Sequence, residues 1–203
     1  MNKFQVSLMK IIFFLVIVHS IAFSFAQNNV ILWNDSIQLT ADNFRWKESK
    51  SGRYAAKSSV SIGGFEYKII EWCLHFKLNP TSFDQRKSWI LKKERSNKEL
   101  LMHEKLHFDI AELYSRKFKE RVYKEKLKPK MGKIRNSINR IHQDIIKEHS
   151  SFQQKYDDET RHHLNKEKQE IWNLLVKEEL KKLDEYKSQE LVIEFRKNKC
   201  KNY

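Results

Sequence analysis

Two turns of one helix constrain this chain more than any other stretch. His103-Glu104-Lys105-Leu106-His107 spell H-E-x-x-H inside a run with helical periodicity. Residues four apart on an α-helix lie about 40° apart around the axis and about 6 Å along it. Both imidazoles therefore reach a single metal ion. Glu104 projects beside them, where a general base for a water molecule at the metal belongs. Leu100, Ile110, Tyr114 and Phe118 extend the same broad face, so the histidines point inward among apolar residues. A plainer alternative is a pair of core histidines bonded to backbone, against which Glu104 between them argues. A helix of this kind needs a layer to bury against and further helix to complete the site.

The flanking patterns supply both. From Val30 to Leu91 the signals are those of strands: Val30-Ile31-Leu32-Trp33 is a short apolar run. Ile70, Trp72, Leu74, Phe76 and Leu78 alternate with Glu71, Cys73, His75 and Lys77, which predicts one strand with a buried and a wet face. Gly63-Gly64 marks a turn or bulge before it and Asn79-Pro80 its end. A further short strand is expected around Lys87 to Leu91. His75 falls on the polar face and reads as an ordinary surface histidine. Ser96-x-x-Glu99 has the form of a capping box and predicts the start of the helix. Pro129 and Gly132 interrupt the helical pattern. A second long helix follows, with a stripe of Ile134, Ile138, Ile141, Ile145, Phe152 and Tyr156. Beyond it the stripe Gln169, Trp172, Val176, Leu180 and Leu183 is rotated by roughly 160°, so the chain should bend, break or be buried on both sides between Tyr156 and Asn165. The fold class expected is α+β: a small N-terminal β-sheet lobe, an H-E-x-x-H helix and a second long helix, zincin-like in outline.

Residues 1–26 read as a signal peptide, with Lys3 and Lys10 before an apolar stretch and Ser24-Phe25-Ala26 as a small-x-small cleavage site. His19-Ser20 interrupt that stretch, leaving it short of the roughly 20 residues of a spanning helix. The organisation expected is a β-rich lobe over residues 27–95, a helical metal-site lobe over 96–190 and a basic tail over 191–203, with 27–190 as one compact domain. A secreted or periplasmic protein, with no stable membrane span after signal removal, is implied. The net charge is +14. In an envelope compartment that excess meets anionic polymers or acidic substrates, although Lys and Arg strewn among Glu also describe solvated helix faces. No nucleic-acid module or stacking platform is present, which argues against a nucleic-acid partner. Cys73 and Cys200 lie where a disulfide could form, and one pair without a spacing motif leaves their pairing open.

Catalytic zinc generally takes three protein ligands, so the two helical histidines need a third from further along. His162 and His163 are the obvious sources, with Glu159 and Glu120 behind them. Only one of two adjacent histidines on a helix would face the metal.

The string from Glu99 to Tyr114, with His103-Glu-x-x-His-Phe-Asp109 at its centre, together with Tyr156-Asp-Asp-Glu-Thr-Arg-His162 and Gln169-x-x-Trp172, resembles the DUF922 family of bacterial secreted proteins, described as zinc-dependent proteases. Weaker echoes are Leu39-Thr40 to Phe44, Tyr54-Ala55-Ala56 and Ser88-Trp89. The resemblance implies an enzyme with Zn²⁺ as cofactor, a peptide or protein substrate, and His162 rather than His163 as third ligand beside His103 and His107. Glu104 is then the catalytic base. Asp109 is a candidate to support a ligand, and Tyr156 or His163 a candidate to stabilise an oxyanion. The rival from another class is a noncatalytic basic envelope-binding protein that keeps a structural metal or none.

Overall fold

The computed structural model describes residues 29–47, 54–197 and 200; the expected signal peptide lies outside them. Small antiparallel sheets precede three helices, an α+β arrangement. β1 (Val30–Leu32) and β3 (Val60–Ser61) flank β6 (Ser82–Asp84), and β2 (Ala56–Lys57) pairs with β7 (Trp89–Ile90). β4 (Phe65–Ile70) and β5 (Cys73–Leu78) form a hairpin, and β8 (Glu190–Glu194) pairs with the other edge of β5.

That hairpin corrects the single strand expected over Ile70 to Leu78. Ile70 pairs with Cys73 across a two-residue turn at Glu71-Trp72, and Glu71 takes a left-handed φ of 53°. The apolar alternation runs through the turn and so hides it. Leu74, Phe76 and Leu78 do share the buried face, as alternation requires. Gly63, just before β4, has φ +82°, and a Cβ there would stand 2.2 Å from the carbonyl oxygen of Asn79. Only glycine fits that approach. The residues after 190, expected as a tail, open as β8, with Leu191 opposite Phe76 and Ile193 opposite Leu74.

α1 spans Lys98–Lys124. Its cap is Asn97, whose side chain accepts from the Leu100 N–H, in place of the box expected at Ser96. α1 is buried on several sides because the sheets, α2 (Met131–Thr160) and α3 (Lys166–Lys182) surround it. Phe118 sets its ring edge against Phe76 and Phe65. Ile134, Ile138, Ile141 and Ile145 line α2 toward the same core. Fully buried Arg116 is compensated: Glu112 accepts from its Nε at 2.9 Å and the Leu180 carbonyl from Nη1 at 2.9 Å, while Thr81 donates to Glu112 at 2.8 Å. A lone buried guanidinium would be far more costly than this paired one.

The break expected between Tyr156 and Asn165 occurs at residues 161–164. Arg161, His162 and His163 all adopt positive φ, at 50°, 51° and 80°. α3 then restarts, with the Asn165 side chain accepting from the Lys168 N–H. Trp172 and Val176 turn inward as the rotated stripe predicts. What reads as one long second helix is thus two. No helix among the described residues is long and apolar enough to cross a membrane.

Beyond β8, Cys200 returns to β5 and is bridged to Cys73, with Cα atoms 5.6 Å apart. The bridge closes a separation of 127 residues. Intact mass after alkylation without reductant should therefore show no blocked thiol, and two alkyl groups would reject the pairing. Urea denaturation of the Cys73→Ala/Cys200→Ala protein should show a loss of about 2–4 kcal/mol.

Candidate metal centre

The antiparallel packing of α1 on α2 sets residue 103 level with 157, 107 with 153 and 118 with 142. The apolar stripe of α2 turns polar at this level, continuing at four-residue steps as His149, Gln153 and Asp157. Asp157 Oδ1 lies 3.1 Å from His103 Nε2 and 3.0 Å from His107 Nε2, and the two Nε2 atoms are 3.2 Å apart. Ligands about 2.0–2.1 Å from a tetrahedral zinc stand about 3.3 Å from one another. The three atoms thus have the spacing of one face of such a tetrahedron.

The outer ring nitrogens decide what that triangle holds. His103 Nδ1 is 3.1 Å from Gln169 Oε1, and His107 Nδ1 faces Gln153 Oε1. Both amides are oriented by their other ends: Gln153 Nε2 donates to the His107 carbonyl at 3.0 Å, and Gln169 Nε2 donates to Asn173 at 3.0 Å. Each imidazole thus places its N–H on Nδ1 and leaves a lone pair on Nε2. Two lone pairs and a carboxylate oxygen then converge on one buried point, which requires a cation there, either a metal ion or added protons. Without metal, protons take that role. Burial works against charge on His107, but the hydrogen bond to Asp157 and the charges of Glu104 and Asp157 outweigh it and raise its pKa. Burial likewise opposes ionisation of Asp157, and the bonds to His103 and His107 overcome it, holding its carboxyl well below the usual range.

Glu104 is buried beside the pair, with an oxygen within 4.8 Å of a ring nitrogen of each histidine. Its Oε2 has no hydrogen-bond partner among the described residues. The site opens into a cleft of about 910 Å³ between the Tyr54–Val60 segment and the end of α2. Ser58 Oγ, 3.4 Å from the Glu104 carbonyl, ties that segment to α1.

His162 is at the mouth, with Nδ1 3.5 Å from Asp157 Oδ1 and a ring nitrogen within 4.8 Å of ligand atoms of both His103 and Asp157. His163 stands further off, its ring centre 6.3 Å from that of His103 and its buried Nδ1 without a partner among the described residues. Neither histidine is on a helix, because both fall in the left-handed turn. Four other candidates have structural partners. Asp109 accepts from Trp33 Nε1 at 2.8 Å and from Lys105 at 2.7 Å, while the histidines' outer nitrogens are bonded by Gln169 and Gln153. Glu159 accepts from Trp172 Nε1 at 2.9 Å, and Glu120 pairs with Lys124. Tyr156 stacks on His103 with ring centres 4.5 Å apart, while its hydroxyl donates to Gln169 Oε1 at 2.9 Å and lies 3.1 Å from the His103 carbonyl. That hydroxyl is committed to positioning His103 and is not free to meet an oxyanion. The residue sequence reasoning missed is Asp157. Its signal was the spacing of His149, Gln153 and Asp157 below the isoleucine stripe.

The sequence pattern of a bacterial protein family of unknown function, DUF922, matches residues 32–163, well over half of the chain. The chain belongs to the DUF922 family. The matched span of this family member holds all four converging residues, Glu104 included, and stops before Gln169. No curated protein and no solved structure matches the chain.

Two outcomes follow from this geometry. Gln169→Leu removes the acceptor that fixes the His103 tautomer, and competition with a chromophoric chelator should show zinc affinity lowered about 10- to 100-fold. Burial and the nearby His107 push the His149 pKa from 6.5 down to about 4. Between those values the unfolded chain takes up a proton that the folded one refuses, so this group lowers stability as pH falls from about 6.5 to about 4. Denaturation curves across that window should be less acid-sensitive for His149→Gln than for the wild type, and parallel curves would refute the assignment.

Proposed function

We propose that this DUF922 member is an exported zinc-dependent metallopeptidase. The observation that carries the proposal is the convergence of three acceptor atoms from His103, His107 and Asp157 next to the unpartnered carboxylate oxygen of Glu104. Two imidazoles and a carboxylate suit zinc, and Gln169 and Gln153 already fix the tautomers that metal binding needs. Asp157 then takes the third position that the family resemblance assigns to His162, which stands at the cleft mouth beside the same oxygen. When bound, zinc supplies Lewis acidity, polarising a carbonyl and lowering the pKa of water.

The chain's own residues do the rest. Glu104 Oε2 accepts the proton of the attacking water and returns it to the leaving amine, a role that suits a carboxylate beside the ligands but not among them. The Tyr54–Val60 segment and the α2 terminus flank the substrate and limit water around it. Tyr156 holds the first ligand by stacking and by its bond to Gln169. Export is supported by the N-terminal sequence pattern and by the Cys73–Cys200 bridge, since such bonds persist in oxidising compartments.

A noncatalytic protein with a structural metal is the competing reading, favoured by one observation: His162 lies close enough to offer a fourth protein donor and close the site. Mutation separates the two. Glu104→Gln should keep zinc and thermal stability while peptide hydrolysis, followed on a mixed peptide library, falls about 10²- to 10⁴-fold. His103→Ala should lose both zinc and activity. A Glu104→Gln protein that cleaves at the wild-type rate would exclude the mechanism, however tightly it binds zinc.

A further inference from the structure

The charges lining the cleft are divided unevenly. Among the described residues two carboxylates reach it, and both belong to its floor: Asp157, held by the two histidines, and buried Glu104. Its walls carry Lys57, on β2, and Arg161, in the turn that ends α2. Both side chains are exposed, and neither has an acidic partner among the described residues. Pairing is not what sets them apart, since exposed Lys133 and Lys181 also lack an acidic partner among the described residues; their place on the cleft wall is. Arg161 has a further distinction. It occupies a left-handed helix cap, φ 50°, ψ 46°, a position usually taken by glycine or asparagine because a Cβ is disfavoured there. A long cationic side chain is thus held at the cleft at some conformational cost. Apart from the histidines, the rest of the lining is neutral, with Ser58, Ser59, Ser150 and Gln154 beside apolar Val60 and Ile146.

We propose that the cleft selects acidic peptide segments, with Lys57 and Arg161 each pairing with an Asp or Glu side chain of an extended chain laid across the site. This rests on the peptidase reading for its choice of a peptide ligand. A cation held by His103, His107 and Asp157 would offset the charge of the floor carboxylates, so that they do not repel such a substrate. The walls then present an unopposed positive field, which a cleft with low-dielectric sides concentrates.

The test uses the full mature chain carrying Glu104→Gln, loaded with zinc so that bound peptide is not consumed. The probe is a fluorescein-labelled, end-blocked decapeptide with four Asp or Glu residues, compared by anisotropy at physiological salt with its Asn/Gln and Lys counterparts. The acidic peptide should bind at least about tenfold tighter than the amide one. Adding Lys57→Gln and Arg161→Gln should weaken it about tenfold, two exposed ion pairs at roughly threefold each, and leave amide-peptide binding and thermal midpoint unchanged. Adding Lys133→Gln and Lys181→Gln instead, both exposed and outside the cleft lining, should change nothing. Equal binding of the acidic and amide peptides overturns the proposal, as does no binding, or an equal loss in the control pair, which would reveal only general attraction to a basic protein. The two readings fail separately. Wild-type cleavage without acidic preference removes the selectivity and leaves the peptidase, whereas acidic binding through Lys57 and Arg161 without any cleavage removes the peptidase.

Discussion

The meeting of two nitrogen lone pairs and a carboxylate oxygen at one buried point is the constraint around which the rest of the molecule is arranged. Such a point is unstable unless positive charge fills it, and it survives only if the groups around it are held rigidly. The hold comes from three directions. α1 supplies His103 and His107, α2 supplies Asp157 and Gln153, and α3 supplies Gln169. A shift of one residue between α1 and α2 would rotate Asp157 off the shared face, so the packing of Ile134, Ile138 and Ile145 some turns away sets the register of the chemistry. In this sense the hydrophobic core sets the site as much as the site's own residues do.

The end of α2 carries a second constraint. Three successive non-glycine residues in left-handed conformation cost about 1–2 kcal/mol each. They persist because the surroundings leave little alternative: the His162 N–H donates to the Asp157 carbonyl at 3.0 Å and the Asn165 N–H to that of Thr160 at 2.8 Å. The turn is short enough for α3 to fold back on α1, which brings Gln169 behind His103. A relaxed helical continuation would carry Gln169 away and leave the tautomer of that histidine unset.

Local pattern foretold a good part of this. The H-E-x-x-H spacing, the interruption near Pro129, with Gly132 already inside α2, and the rotated stripe beyond Tyr156 are local patterns, written in neighbouring residues. The hairpin at Glu71-Trp72 was hidden because Ile70 and Trp72 continue the alternation of Leu74, Phe76 and Leu78 through the turn. Asp157 was hidden differently. It sits in an Asp157-Asp158-Glu159 run that reads as a solvated helix end, and its four-residue spacing from His149 and Gln153 gains its meaning only through the long-range register of α1 on α2. β8 was hidden because its half-buried Leu191 and Ile193 are set among charges and gain their meaning from β5, over a hundred residues earlier.

The position of β8 in the chain has a consequence for the order of events in folding. β5 is the central strand of its sheet, yet one of its two neighbours is made last, after all three helices. Until residues 190–194 emerge, β5 presents an open row of backbone donors and acceptors, the kind of edge that recruits foreign strands. A chain synthesised from its N-terminus therefore cannot complete this sheet early, and the helical half that carries His103, His107 and Asp157 is available first. Such late closure makes residues 190–194, remote in sequence from His103 and His107, the step that seals the sheet.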